Sequence, residues 1–230
     1  MRLVGIAFCI LAAVAPVASH ARATCPERTR NYHECSLYLE SLVIQSHPNR
    51  FVRNGNSLKV KLQNGKTARF TDTPSDKDGQ NSDDVVAYAV VKYFSDIHYA
   101  LIAVAFWEGG TYYLLNMTTG EKIEIGGEAV LSPDKRRIAV WLMDIEAGYS
   151  PNVLAIYRIS SRGPVSEFLA KPNDWGPADV SWRNSQAVEF TKNYWGETGI
   201  QIKKQTLRFQ GNNIKAGGKW QVEQERIGSE

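Results

Sequence analysis

The chain has 230 residues, of which 43% are hydrophobic, and its 27 basic and 24 acidic residues give a formal net charge of +3. This composition is that of a globular protein with one sizeable core, and it excludes a largely disordered chain. Because the charges nearly balance, the chain lacks the concentrated basic surface of nucleic-acid-binding proteins. We therefore expect no nucleic-acid partner.

Residues 1–23 have the pattern of a cleavable export signal. Arg2 supplies a positive start, and the apolar stretch from Leu3 to Val17 is too short to span a bilayer. Small residues at Ala21 and Ala23 fit the site that signal peptidase cuts. We predict a signal peptide over residues 1–23, cleavage near Ala23, and a periplasmic or secreted mature chain. No second long apolar run follows, so we expect no membrane span and a soluble mature protein.

The cysteines point to one disulfide in the N-terminal segment, residues 24–50. Cys9 lies within the predicted signal, which leaves Cys25 and Cys35. Two cysteines close in sequence in an exported chain most simply form a disulfide. A redox pair is more often spaced Cys-x-x-Cys, and a metal site has only His33 nearby as a further ligand. We predict that the Cys25–Cys35 bond ties this segment.

The rest of the N-terminal segment is ambiguous. Ser36 to Ser46 mixes helix-forming residues with the β-branched residues Val43 and Ile44, so its structure stays open at this stage. Pro48 then ends the segment, because the residue before a proline avoids helical backbone angles.

Residues 51–230 read as a single domain of short strands and turns. The clearest hairpin has alternating residues from Leu58 to Leu62, a turn at Asn64-Gly65, and a return strand from Lys66 to Phe70. Further strands are predicted, in chain order, over Val85–Tyr93, Ala100–Trp107, Thr111–Asn116, Lys122–Ile125, Ile138–Leu142, Val153–Tyr157, Val165–Leu169, Asp179–Trp182, Ala187–Phe190 and Ile200–Lys204. Aromatic residues within these strands, including Trp107, are expected to pack inside the domain.

The most informative stretch runs from Gly126 to Asp144. Pro133 presets the backbone for a type I turn, and a short apolar run from Ile138 to Leu142 follows it. Such a run is typical of a strand that is buried on both faces. We therefore predict that Trp141, in the middle of this run, is buried.

The turns recur at regular intervals. The hairpin glycines Gly65, Gly120, Gly163 and Gly211 are separated by 55, 43 and 48 residues. Periods of this size, each with about four short strands, are typical of the blades of a β-propeller. The spacing thus favours an all-β, propeller-like array of about four blades, and a β-sandwich is the alternative.

One segment resembles a known family. Leu131-Ser132-Pro133-Asp134 and the strand up to Val140, preceded by the Thr119-Gly120-Glu121 hairpin, is similar to a blade of the bacterial periplasmic propellers of the TolB-like family. In that family a Ser-Pro-Asp-Gly turn leads into an Ile-Ala-Phe strand, whereas Lys135 here replaces the usual glycine. The resemblance implies a propeller-like fold in the periplasm, and that fold hosts many functions.

The sequence carries no recognisable catalytic motif. It has no Gly-x-Ser-x-Gly elbow, no His-Glu-x-x-His helix and no phosphate-binding glycine loop. Asp96 and His98 are close enough in sequence to form a hydrolytic dyad, although such pairs also arise by chance. The acidic segment from Asp72 to Asp84 has the carboxylates of a calcium site but not the spacing of an EF-hand, so we interpret it as a solvated loop. We expect no enzyme activity, no cofactor and no metal.

Three loops occupy equivalent places in successive units and should gather on one face: Glu108–Gly110, Ile145–Asn152 and Asn193–Gly199. Loop aromatics bury much area in interfaces, although they can equally pack beneath their own loops. We predict that the partner contacts are Glu108, Tyr149, Ser150, Trp195 and Glu197.

The sequence thus favours an exported, non-enzymatic module of the bacterial cell envelope. It would bind another envelope protein through its loop face. The alternatives are a periplasmic inhibitor or immunity-type protein, which would act through one protruding loop, and a hydrolase whose site the sequence does not reveal.

Overall fold

The computed structural model of the chain describes residues 25–26, 32–73, 85–210 and 219–223. The predicted signal peptide, nearly all of the acidic segment and the turn predicted around Gly211 lie outside the described residues. Where the chain is described, it consists of four antiparallel sheets and one α-helix, which confirms the expectation of a mainly β protein.

The ambiguous N-terminal segment is a helix, α1, from Tyr32 to Ser46. Its β-branched residues Val43 and Ile44 pack against an apolar cluster of the neighbouring sheets, and this packing overrides their weak helix propensity. The predicted disulfide is confirmed, since Cys25 and Cys35 are bonded with their Cα atoms 5.4 Å apart. The described residues contain no helix with the length and apolar composition that a membrane span requires.

The strands form four sheets in chain order. The first sheet contains β1 (Phe51–Asn54), β2 (Ser57–Lys61) and β3 (Thr67–Thr71). The second contains β4 (Val86–Phe94), β5 (Tyr99–Phe106), β6 (Gly110–Asn116) and β7 (Lys122–Glu124). The third contains β8 (Glu128–Leu131), β9 (Arg137–Leu142), β10 (Val153–Ser160) and β11 (Gly163–Ala170). The fourth contains β12 (Gly176–Asn184), β13 (Ala187–Gly196), β14 (Gly199–Gln210) and β15 (Lys219–Val222).

Within each sheet, strands that follow one another in the chain are hydrogen-bonded neighbours. The predicted Asn64-Gly65 hairpin joins β2 to β3, and Gly65 takes the left-handed backbone angle that the turn requires (φ +81°). Among the described residues, closure of the four sheets into a propeller ring is not observed.

Apolar clusters lie between successive sheets. In β5, Leu101 and Ala103 contribute to a cluster shared with the third sheet, whereas Ala100 and Ile102 contribute to one shared with the first sheet. A third cluster joins the third sheet to the fourth. Each central sheet is therefore covered on both faces.

The stretch singled out in the sequence, residues 126–144, contains β8, a tight turn and β9. Asp134 Oδ1 accepts hydrogen bonds from the Ser132 hydroxyl (2.6 Å) and the Arg136 backbone N–H (3.2 Å). Lys135, in this turn, adopts a left-handed conformation at φ +61°. Trp141 is only 6% exposed, in the cluster between the third and fourth sheets, so the prediction of its burial is confirmed.

A buried ion pair connects α1 to the first two sheets. Arg53 on β1 donates to both carboxylate oxygens of Glu40 on α1, at 2.7 and 2.9 Å, and to Asp72 at 2.9 Å. Glu40 is 3% exposed and also accepts a hydrogen bond from the Val90 N–H on β4. Asp72 accepts one from the Tyr88 N–H on the same strand. These hydrogen bonds therefore fix how α1, β1 and β4 pack against one another.

Replacing Trp141 with alanine should lower the free energy of unfolding by about 3–5 kcal/mol, because the change empties a large core site. Chemical denaturation of Trp141→Ala measures the loss. Trp107→Ala is the matched control, since that indole is 62% exposed and its removal should cost less than about 1 kcal/mol. Equal denaturation midpoints for the two variants would show that β9 does not lie in the core.

Replacing Glu40 with glutamine should lower the free energy of unfolding by about 3 kcal/mol, because Arg53 keeps its charge and loses a buried partner. Glu189→Gln is the matched control. Glu189 pairs with Arg183 at 3.6 Å, and both side chains are at least half exposed, so its loss should cost less than about 1 kcal/mol. If Glu40→Gln is as stable as the control, the buried pair does not hold the helix to the sheets.

Candidate functional site

Three loops leave equivalent positions in three successive sheets. They connect the second strand to the third: β5 to β6, β9 to β10, and β13 to β14. Because every sheet is a simple up-and-down arrangement, these loops emerge at the same end of their sheets. We call the surface formed by residues 106–110, 143–152 and 195–199 the loop face.

Direct contacts join these loops. The Gly110 N–H donates to Ser150 Oγ at 3.2 Å, and the Ser150 hydroxyl donates to the Gly110 carbonyl at 3.3 Å. A Cβ atom on Gly109 would lie 2.6 Å from Ser150 Oγ, so this close approach requires glycine. On the other side, the Trp195 indole N–H donates to the Ile145 carbonyl at 3.0 Å. The three loops therefore form one connected surface.

Asp144 shapes the longest of the three loops. Its Oδ1 accepts the backbone N–H groups of Ala147 (3.2 Å) and Gly148 (3.0 Å), and its Oδ2 accepts that of Ser150 (2.8 Å). Asn152 closes the loop by accepting the Asp144 backbone N–H at 2.8 Å. This role of Asp144 was not predicted from the sequence, although an aspartate placed shortly before a loop glycine is a known signal for such turns.

Large aromatic side chains on this surface face solvent. Tyr149 is 59% exposed, Trp195 is 58% exposed and Trp107 is 62% exposed. The prediction that Trp107 packs inside the domain is wrong, because β5 ends at Phe106 and the indole lies on the following loop. A further loop aromatic, Trp175, instead stacks on Phe190 at 5.9 Å between ring centroids.

The other three predicted contact residues, Glu108, Ser150 and Glu197, differ in how exposed they are to solvent. Glu108 and Glu197 are exposed, whereas Ser150 is half-buried and holds the first loop. All five predicted residues lie on the loop face. Their role as partner contacts stays a prediction.

A cavity of about 760 Å³ opens beside the loop face. Its walls come from α1, the first sheet, the ends of β4, β5 and β9, and the loop face itself, through Tyr32, His33, Thr73, Phe106, Met143 and Ser150 among others. Burial raises the pKa of the Tyr32 phenol above its usual range. The lining combines apolar side chains with a few hydrogen-bonding groups, as ligand and peptide sites do.

The residues proposed for hydrolysis are already engaged by other groups. His98 Nδ1 lies 2.8 Å from Gln63 Nε2, and Asp96 forms an ion pair with Lys135 at 3.2 Å. These contacts give both side chains structural roles at turns.

No known protein family, no curated protein and no solved structure matches the chain. Within the described ranges, no three His, Cys, Asp or Glu side chains lie close enough together to hold a metal ion.

Replacing Asp144 with alanine should loosen the loop from Ile145 to Asn152 without unfolding the sheets. Gly148 and Ser150 lose a charged hydrogen-bond acceptor worth about 1.5–3 kcal/mol, so their amide hydrogens should exchange at least about tenfold faster. Asp134→Ala, which removes a turn aspartate at the opposite end of the third sheet, is the control and should leave both amides unchanged. Unaltered exchange in Asp144→Ala would show that other contacts hold the loop.

Proposed function

We propose that the chain is an exported, non-enzymatic module of the bacterial cell envelope that binds another envelope protein through the loop face. The observation that carries this proposal is the exposure of Trp107, Tyr149 and Trp195, each about three-fifths accessible, on loops that are hydrogen-bonded to one another. Tryptophan and tyrosine are the residues most enriched among binding hot spots. Anchors on preorganised loops also lose little entropy on binding.

The cavity beside the loop face adds to this proposal. Phe106 is 46% exposed and Met143 is 40% exposed, and both line the cavity next to the aromatic loops. An apolar side chain of the partner would remove these surfaces from water. Exposed apolar surface of this kind is typical of interaction sites.

Two observations support export. The Cys25–Cys35 disulfide is of a kind that persists in oxidising compartments such as the periplasm. The sequence of residues 1–23 independently has the pattern of a signal peptide.

The proposed architecture is a propeller-like array related in form to the TolB-like blades. The up-and-down order of each sheet and the apolar clusters between successive sheets support it. In such an array the second-to-third-strand loops line one rim, which matches the position proposed for the binding surface. A contact spread over three linked loops also favours a broad interface over the single protruding loop of an inhibitor.

Removing both Tyr149 and Trp195 should abolish partner binding while the fold survives. Two hot-spot aromatics contribute at least about 2 kcal/mol each, so affinity should fall by roughly 1000-fold. The assay is retention of envelope proteins by immobilised Tyr149→Ala/Trp195→Ala and by the parent chain, with thermal unfolding as a check.

The control for this assay is Tyr38→Ala, which removes an exposed tyrosine from α1. This variant should retain the same partner as the parent chain. Equal retention by the double variant would exclude the loop face as the interface. Unfolding of the double variant would show that the two rings together are needed to stabilise the folded state.

A further inference from the structure

The loop face is negatively charged in a chain that is positive overall. Residues 106–110, 143–152 and 195–199 contain no lysine, arginine or histidine, and their acidic residues are Glu108, Asp144, Glu146 and Glu197. With four acidic residues and no basic ones, the loop face has a formal charge of −4, whereas the whole chain carries +3. Of the described residues that line the neighbouring cavity, none is a lysine or an arginine. The negative charge is therefore concentrated on the surface proposed for binding.

Three of these carboxylates have no basic partner. Glu108, Glu146 and Glu197 are exposed, and no basic side chain in the described part of the chain lies within ion-pair distance of them. Exposed carboxylates elsewhere are paired, as Glu189 is with Arg183. The acidic side chains of the loop face also do not converge on one point, since the described residues hold no metal-binding group of three. Such a surface suits several positive charges that are spread apart.

The exposed rings of the loop face also lack a cation. Lys192 Nζ lies 5.1 Å from the ring centroid of Trp175, a loop aromatic outside the loop face. In the described ranges no lysine or arginine lies over the rings of Trp107, Tyr149 or Trp195. A cation over an aromatic ring is attracted by the negative face of the ring, and tryptophan attracts it most strongly.

The exposed rings and the unpaired carboxylates are interleaved. Glu108 directly follows Trp107 in the chain. The Trp195 indole donates to the carbonyl of Ile145, and Glu146 is the next residue. A positive side chain that stacks on either indole therefore approaches a loop that also carries an exposed carboxylate.

We propose that the loop face binds a basic segment of its partner protein, with arginine or lysine side chains over the exposed rings and paired with the three glutamates. The inference rests on the proposed function and specifies the chemistry of the partner. Arginine fits this surface best, because its guanidinium group stacks on aromatic faces and pairs with carboxylates. Opposite charges across an interface also speed association and disfavour wrong partners.

Binding of a defined peptide tests the proposal. The probe has about twelve residues, with arginines separated by glycine and serine, and the matched probe carries citrulline, which is uncharged, in place of each arginine. At low salt the chain should bind the arginine peptide at least about tenfold more tightly, because several cation–π contacts and exposed ion pairs contribute. Fluorescence anisotropy measures both dissociation constants. Equal dissociation constants for the two peptides overturn the proposal.

A triple variant shows whether the preference arises on the loop face. Glu108→Gln/Glu146→Gln/Glu197→Gln removes the three charges and keeps every exposed ring. This variant should bind the arginine and citrulline peptides within about twofold of each other, because only exposed ion pairs are lost and weak contacts remain.

The matched control is Glu121→Gln/Glu189→Gln/Glu223→Gln, which changes the net charge equally at exposed positions outside the loop face. It should keep the preference for the arginine peptide. An equal preference in the two triple variants would show attraction to the protein as a whole and overturn the proposal. Tighter binding of spermine than of the arginine peptide would assign the face to a small polycation instead of a protein segment.

Retention of envelope proteins distinguishes this inference from the proposed function. A partner that is lost by both Tyr149→Ala/Trp195→Ala and the loop-face triple variant supports the basic segment, provided that the peptide preference is also observed. A partner lost by the aromatic double variant but fully retained by the triple variant overturns the basic segment and leaves the proposed function standing. A partner retained by the aromatic double variant overturns the proposed function itself.

Discussion

The fold depends on central sheets that are apolar on both faces. In β9, Ile138 and Val140 face the second sheet, whereas Ala139 and Trp141 face the fourth. Removing such side chains from water contributes about 1.5–3 kcal/mol for each large one, and a single sheet cannot bury both of its faces alone. Each central sheet must therefore be covered on both sides, and the sheets before and after it in the chain do so. This stacking brings equivalent loops of successive sheets together.

Polar contacts in two places then determine how the sheets are aligned: between α1 and the first two sheets, and between the third and fourth sheets. Arg53 joins α1 to the first two sheets, and Glu167 on β11 binds Arg137 at 2.6 Å while accepting a hydrogen bond from the Trp220 indole on β15. The Glu167 side chain is 1% exposed. Buried ion pairs add little net stability compared with apolar replacements, but they penalise arrangements that leave a charge unpaired. The apolar clusters thus supply the stabilisation, and these pairs select one alignment.

The sequence predicted those parts of the fold that local chemistry determines. Asn64-Gly65 fixes a hairpin through its backbone preferences, and the unbroken apolar run around Trp141 indicates a strand buried on both sides. The helix at residues 32–46 was not predictable, because packing against distant strands overrides the propensity of its β-branched residues. The sequence could place Tyr149 and Trp195 on equivalent loops, whereas the Trp195 contact with Ile145 spans 50 residues and depends on how the sheets stack.

The loop face follows from this stacking, because three sheets each contribute one loop and side-chain hydrogen bonds join them. Site-specific photo-crosslinking in the cells that produce the protein tests most directly whether this surface holds a partner. A photoreactive phenylalanine analogue at position 107, 149 or 195 should give adducts of one common mass, and the same analogue at position 38 should give none. Unrelated adducts at the three positions, or the same adduct from position 38, would contradict a single partner bound across the loop face.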